Sequence, residues 1–190
     1  MASARLAGRD EGGLMKIPSI SPPAPGSHEE MEDLAQVIRQ HKNPKVPQAL
    51  QKICDENMRE IFKTYLKSQG LPYDFDFHDR VHRALAPIVI SIKRHYGRDR
   101  PTKTAERLGV QWRGDDLDSA QSPSYPSGHT IQAYVHAVIL GRKFPQHAED
   151  FLSLAEMISQ SRIDRGVHFP SDVDFGRQIA YLIAREIFDG

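Results

Sequence analysis

Two histidines and the residues spaced around them carry the chemistry this sequence can do. His168 is followed four positions later by Asp172 and preceded by the pair Ser161-Arg162. Pro170 suits the first turn of a helix, where a missing N–H costs nothing. Val173, Phe175, Ile179, Leu182, Ile183 and Ile187 continue as an apolar stripe at helical spacing. His168 is therefore expected just ahead of a helix, with Asp172 one turn on. A carboxylate so placed can accept a hydrogen bond from one imidazole nitrogen and leave the other basic and aimed outward. Arg162 adds a planar, permanently charged donor fork suited to an oxyanion. Taken alone, the same residues also read as an acid complementing a helix dipole beside a surface histidine.

The second histidine stands in Pro126-Ser127-Gly128-His129-Thr130, which runs into Ile131, Tyr134, Val135, Val138 and Ile139. That is a turn feeding a helix. Ser127 is a natural N-cap, and Gly128 lets the backbone approach a ligand closely. Free N–H groups at a helix start bind anions, and His129 would face the same anion from within the first turn. The plainer alternative is a capped helix with an incidental histidine. A third stretch is basic: Lys93, Arg94, Arg98, Arg100, Lys103 and Arg107. A nucleic-acid patch is weakened by Asp99 and Glu106 within it, by Asp115, Asp116 and Asp118 after it, and by the presence of only Trp112 and Tyr96 for stacking. What stands out instead is Lys93, six residues, then Arg100-Pro101.

The three stretches share one logic. Lys93, Arg100 and Arg162 are cations; Ser127 and Gly128 offer a hydroxyl and backbone donors; His129 and His168 can move protons or attack; Asp172 can orient His168. Such a set fits phosphoryl transfer, where catalysis is mostly positioning and charge neutralisation.

The spacing resembles the signature of the type 2 phosphatidic acid phosphatase superfamily, which includes bacterial acid phosphatases, lipid phosphate phosphatases and vanadium-dependent haloperoxidases. Here it reads Lys93…Arg100-Pro101, Pro126-Ser127-Gly128-His129 and Ser161-Arg162…His168…Asp172, in order and with every fixed position filled. The resemblance implies that His168 is the nucleophile, forming a phosphohistidine. It implies that His129 protonates the leaving oxygen and then activates water, and that Asp172 holds the tautomer of His168. Lys93, Arg100, Arg162, Ser127 and the Gly128 N–H would hold the phosphate oxygens. It implies a metal-independent phosphomonoesterase with no cofactor and a small phosphorylated substrate, soluble in the first instance. The alternatives are a lipid phosphate reached from water, or a haloperoxidase that would carry vanadate as its cofactor, although such enzymes are generally much longer chains. Self-association is left open.

Helices must position these residues. Ser27 and Glu30 form a capping-box pair opening a helix with Met31, Leu34 and Ile38 on one face, ending before Pro44. The next helix is expected from about 47 to 69, with Leu50, Cys54, Met58, Ile61, Phe62 and Tyr65 on its buried side, stopped by Gly70 and Pro72. A third covers about 77–96, with Pro87 as a candidate kink. His78 and His82 lie four apart on it; with no third ligand evident nearby, core-edge histidines are a better account than a metal pair. From Arg98 to Tyr125 no periodicity is clear, which predicts an irregular lid over the site anchored by Trp112. Helices follow from Ser127, over about 147–162, and after Pro170. No repeat and no strand-like alternation is visible, so the expected fold is all-α: a single-domain helical bundle over residues 27–190, preceded by a flexible Ala-, Gly-, Ser- and Pro-rich arm over residues 1–26.

Composition narrows the class further. Lys+Arg and Asp+Glu both number 25 in 190 residues, so the chain lacks the basic excess of a general polyanion binder, and no nucleic-acid partner is expected. Cys54 is the only cysteine, which excludes an intrachain disulfide and fits a reducing compartment; a buried apolar role is expected for it. No apolar run approaches the ~18 residues a membrane span needs. Arg5, Arg9, Asp10 and Glu11 break up any apolar leader, and a cytoplasmic location is expected.

Overall fold

Ser27 caps the first helix as its sequence demands. In the computed structural model, which describes residues 20–189, its hydroxyl accepts the Glu30 N–H at 3.2 Å while the Glu30 carboxylate reaches back to the N–H of Gly26 at 2.7 Å. This helix, α1 (His28–Lys42), buries Glu30, Asp33, Leu34 and Val37, whereas Met31 is exposed. Its inward face is thus rotated from the expected Met31–Leu34–Ile38 line. Two carboxylates belong to the buried stripe because arginines meet them there: the exposed Arg107 on Glu30 at 2.6 Å and the buried Arg98 on Asp33 at 2.9 Å. The first nineteen residues of the expected arm lie outside the described residues. Residues 20–26 are tied to the helical body, with the Tyr125 hydroxyl donating to the Ile20 carbonyl at 2.8 Å.

The expected helix over 47–69 is two helices, α2 (Gln48–Glu56) and α3 (Met58–Ser68), broken at Asn57, whose φ of −154° and ψ of 64° are not helical. Cys54, Met58 and Ile61 keep helical spacing across the break, so periodicity alone conceals it; Asn, a poor helix former, marks it. α4 (Asp76–Tyr96) runs to Gly97, in the left-handed region at φ 60°. The expected irregular stretch after it opens with a short helix, α5 (Pro101–Arg107), which starts on Pro101 and buries only Pro101, Thr104 and Ala105, too little apolar surface to register as a period. The remainder up to Tyr125 is irregular apart from a 3-10 turn at Asp118–Ala120.

Three further helices, α6 (Gly128–Lys143), α7 (Ala148–Asp164) and α8 (Pro170–Asp189), complete the chain, and no strand occurs among the described residues. The fold is all-α. α6 lies at its centre, packed chiefly against α7 and α8, with Thr130, Ile131, Ala133–Ala137, Ile139 and Leu140 all buried. The main core also takes Cys54, Phe62, Leu85, Val89, Phe151, Ile158, Phe175, Ile179 and Ile183. A smaller core joins Leu34, Val37, Ala105, Ile163, Phe169 and Val173, and Trp112 packs against it, edge-on to His41 at 5.5 Å. His78 is buried and faces His136, Nδ1 to Nδ1 at 2.7 Å. Burial drives both imidazoles toward neutrality, His78 down to about 4, so one donates and the other accepts. Among the described residues no group of three or more His, Cys, Asp or Glu side chains is placed to hold a metal ion, and no helix is long and apolar enough to cross a membrane.

Candidate active site

The reversal between α7 and α8 carries half of the site. Arg162 occupies the last turn of α7, His168 the turn, and Asp172 the first turn of α8; all three are buried. Gly166 permits the reversal at φ 68°, where a Cβ would stand 2.8 Å from the Gly114 Cα and 2.9 Å from the Trp112 ring. His168 Nδ1 lies 2.9 Å from Asp172 Oδ2, which also accepts the Phe169 N–H at 2.9 Å. On the other side of the ring, Arg100 Nη1 lies 3.0 Å from Nε2. A guanidinium has donors only, so Nε2 is the acceptor and the ring hydrogen sits on Nδ1, toward Asp172. Burial, reinforced by the charges of Arg100, Lys93 and Arg162, holds the imidazole well below its ordinary pKa. His168 is therefore neutral, with its lone pair turned toward the cations.

The other half forms where α6 begins. Ser127 Oγ accepts from the Thr130 hydroxyl at 2.9 Å and the Thr130 N–H at 3.4 Å, and the Ser127 N–H donates to the Asp172 carbonyl at 2.9 Å. That last bond fixes the start of α6 against the start of α8. Gly176 lets the two approach: a Cβ there would lie 3.0 Å from the Ser127 carbonyl oxygen. A Cβ on Gly128 would lie 3.9 Å from Lys93 Cε, which places this glycine beside the lysine. His129 Nε2 lies 3.3 Å from the Asp55 carbonyl and 3.8 Å from Asp55 Oδ1. Burial and the Arg162 charge push its pKa down against the opposing pull of Asp55.

Lys93 and Arg100 are held by main-chain carbonyls. Lys93 Nζ donates to Pro123 at 2.6 Å and Ser124 at 3.2 Å; Arg100 donates to Ser122 at 2.8 Å and Val167 at 2.7 Å. Burial brings the Lys93 ammonium down to about 7, with Arg100 adding to the effect and Asp172 opposing it. Burial also lowers Arg100, to about 10, which leaves it cationic at neutral pH. The charges of Lys93, Arg100 and Arg162 act on one another and on the His129 and His168 imidazoles here, Asp172 holds His168, and Gly128 lies beside Lys93.

Several neighbours gave no signal in the motif spacing. Arg98 looked like one member of a basic run. It is buried, and donates to Asp172 Oδ1 at 2.7 Å, Ser171 Oγ at 2.7 Å and Asp33 Oδ2 at 2.9 Å, with its guanidinium 3.8 Å over the Phe169 ring. Asp33 could have been suspected, because it shares a helical face with Leu34 and Val37. Asp55 had no such marker. It lies two residues before the break at Asn57 and pairs with Arg162 at 2.5 Å.

The family model described as "PAP2 superfamily" matches residues 83–189, more than half of the chain and all of the motif from Lys93 to Asp172. The chain belongs to the PAP2 superfamily. Similar proteins include a non-specific acid phosphatase of Salmonella typhi, 33% identical over 89 residues (47% of this chain, 35% of that one). An acid phosphatase of Zymomonas mobilis is 28% identical over 130 residues, 65% of this chain and 49% of its own length. A non-specific acid phosphatase of Providencia stuartii is 36% identical over 61 residues, 32% and 25% respectively. The chain thus spans half or less of the length of these relatives. The region matched by the PAP2 model runs from within α4 through α8 and so carries both halves of the site, while α1 to α3, which bring in Asp33 and Asp55, precede it.

Proposed function

We propose that this PAP2-superfamily protein is a phosphatase that hydrolyses phosphomonoesters of a small soluble substrate through a phosphohistidine on His168, without a metal ion. The observation that carries the reading is the wiring of His168: Nδ1 on Asp172 at 2.9 Å and Nε2 on Arg100 at 3.0 Å, beside Lys93 and Arg162. The names of the relatives, acid phosphatases, favour the same reaction class.

The chemistry balances with side chains, one water and a proton that His129 takes up from solvent or from the substrate monoanion before the first step. A phosphate arriving among Lys93, Arg100 and Arg162 draws the Arg100 donor off Nε2 and frees the lone pair. Nε2 attacks phosphorus as the bond to the leaving oxygen breaks, and His129 gives that oxygen a proton, releasing an alcohol. Neutral His129 then takes a proton from water; the water oxygen bonds to phosphorus, the P–N bond breaks, and phosphate leaves with His168 restored. Asp172 keeps the hydrogen of His168 on Nδ1 and stabilises the charge the ring gains. Three cations do the neutralising work that a metal does elsewhere.

The test is release of phosphate from an aryl phosphate in excess EDTA, with vanadate as inhibitor and His168→Ala as the control. The expected result is EDTA-resistant turnover, inhibition by vanadate as a transition-state mimic, and loss of turnover in the folded variant. Strict dependence on Mg²⁺, or an active His168→Ala protein, overturns the reading.

A further inference from the structure

Arg162 differs from the other two cations in what it holds. Lys93 and Arg100 donate to main-chain carbonyls, whereas Arg162 carries a carboxylate: Nη1 lies 2.5 Å from Asp55 Oδ1. Its Nη2 donates to Ser119 Oγ at 2.9 Å, and that hydroxyl donates to the same Asp55 oxygen at 2.5 Å. The guanidinium is fully buried, and its Nε has no hydrogen-bond partner among the described residues. A buried donor without an acceptor is unfavourable, and a carboxylate offers a planar pair of oxygens where a phosphate offers a tetrahedral set. Asp55 thus takes up the face of Arg162 that the proposed reading gives to a phosphate oxygen.

The backbone explains why Asp55 reaches so far. The break at Asn57 leaves the Asp55 carbonyl among the last-turn groups without an intrahelical partner, and His129 Nε2 takes it at 3.3 Å. Asp55 so contacts both the phosphate-binding arginine and the proton-transferring histidine, through two different oxygens. Its side chain also borders two clefts, one of about 480 Å³ shared with His129 and Gln132, the other of about 730 Å³ shared with Ser119 and Arg165.

We propose that Asp55 is a positioning residue that exchanges partners: it holds Arg162 as the structure shows, yields Arg162 to the substrate phosphate, and turns to His129 to support its protonated form. The inference rests on the phosphatase reading above. A dianion and a carboxylate on one guanidinium repel each other, so the arriving phosphate expels Asp55. Oδ1 already lies 3.8 Å from His129 Nε2, and Oδ2 lies 3.7 Å from Arg165 Nη1, so the displaced carboxylate keeps Arg165 on one oxygen and offers the other to the imidazole. The charges balance: Arg162 goes from carboxylate to phosphate, and His129 takes up one proton, from solvent or from a monoanionic substrate, opposite Asp55. Substrate binding itself thereby converts a histidine that is neutral in the empty site into the acid that the first step needs. The groups acting on His129 are Asp55 from α2, Arg162 from α7, Arg100 ahead of α5 and His168 ahead of α8. Across the cleft stand Glu56, the Arg59–Asp79 pair, His82 and Arg83. Asp55 is the carboxylate whose oxygens reach His129 Nε2 within 4 Å.

Asp55→Asn keeps the backbone carbonyl and removes the charge. Vanadate binding by calorimetry at fixed pH is expected to tighten about tenfold, because the competitor for Arg162 is gone. In the same variant kcat on an alkyl phosphate falls about tenfold and the alkaline limb of the kcat profile moves to lower pH, because protonated His129 has lost its partner. A KM and a kcat that fall together, with a displaced pH limb, are not what a merely structural residue produces. Unchanged or weaker vanadate binding, or an unmoved alkaline limb, overturns the proposal. Should Asp55→Asn fail to fold by circular dichroism, Asp55→Ser carries the same test. Wild-type protein that binds vanadate but hydrolyses no phosphate ester sinks the phosphatase reading instead, and the calorimetric comparison still decides whether Asp55 competes for Arg162.

Discussion

Arg98 touches none of the groups proposed to meet a phosphate, yet Arg98→Met is expected to be among the most damaging single changes in this protein. Its side chain is 4% exposed and bridges two carboxylates, Asp172 at 0% and Asp33 at 9%. Methionine approximates the length of the arginine stem and removes the charge, so the variant isolates electrostatics from volume. Breaking a buried ion pair by deleting one partner costs about 3–5 kcal/mol, because the other partner stays buried and uncompensated. The guanidinium also lies 3.8 Å over the Phe169 ring, a contact that contributes about 0.5–2 kcal/mol. The methionine recovers about 1–2 kcal/mol by burying its own apolar surface. The net loss is about 3 kcal/mol, a large share of a total stability on the order of 5–15 kcal/mol. Urea unfolding followed by circular dichroism should show a lower midpoint at unchanged slope. Heating should show a Tm lower by about 6–12 °C. Adding Asp33→Asn to Arg98→Met should restore part of the loss, since one of the two orphaned charges is then gone. A loss below about 1 kcal/mol, or a double variant that is simply additive, would refute the claim that Arg98 is the counter-charge holding α1 and the start of α8 together.

The pH response of Lys93 has a definite sign. Burial depresses its folded-state pKa from 10.5 to about 7, so the unfolded chain binds the extra proton between those values and this group's penalty on stability is relieved as pH rises through that window. A bound dianion favours the ammonium, so sulfate, doubly charged throughout, should bind up to about tenfold more weakly per pH unit above about pH 7, while Lys93→Arg should flatten the profile; a flat wild-type profile would refute the assignment. Gly176→Val should destabilise the fold by about 1–3 kcal/mol through overpacking, because even a Cβ would stand 3.0 Å from the Ser127 carbonyl and 3.2 Å from Thr130 Cβ; wild-type urea stability in that variant would show that α6 and α8 part without cost.

How much of this could be read from the sequence depended on whether a residue's job is local. His168 and Asp172 are one helical turn apart, and Ser127 caps the helix that carries His129, so spacing alone announces what these residues do to each other. The helices that present them are legible for the same reason: each buries a stripe long enough to show a period. α5 is not, because a seven-residue helix resting on Pro101, Thr104 and Ala105 has no stripe to show. The Asn57 break is hidden because Cys54, Met58 and Ile61 remain in phase across it.

The second layer of the site is illegible for a different reason, and the reason is physical. Asp33, Asp55 and Arg98 are held by partners 64 to 138 positions away, and nothing in a local window distinguishes a carboxylate that will meet a buried arginine from one that will meet water. What the fold adds is a closed account of charge. Lys93, Arg100 and Arg162 sit close enough together for their charges to oppose one another. Carbonyls of residues 122–124 and 167 take up the first two, and Asp55 takes up the third. Asp172, already charged to serve His168, cannot be left to balance the cations as well, and Arg98 neutralises it from behind. On the proposed reading the motif supplies the groups that would meet a phosphate, while the residues outside it balance that cluster of like charges.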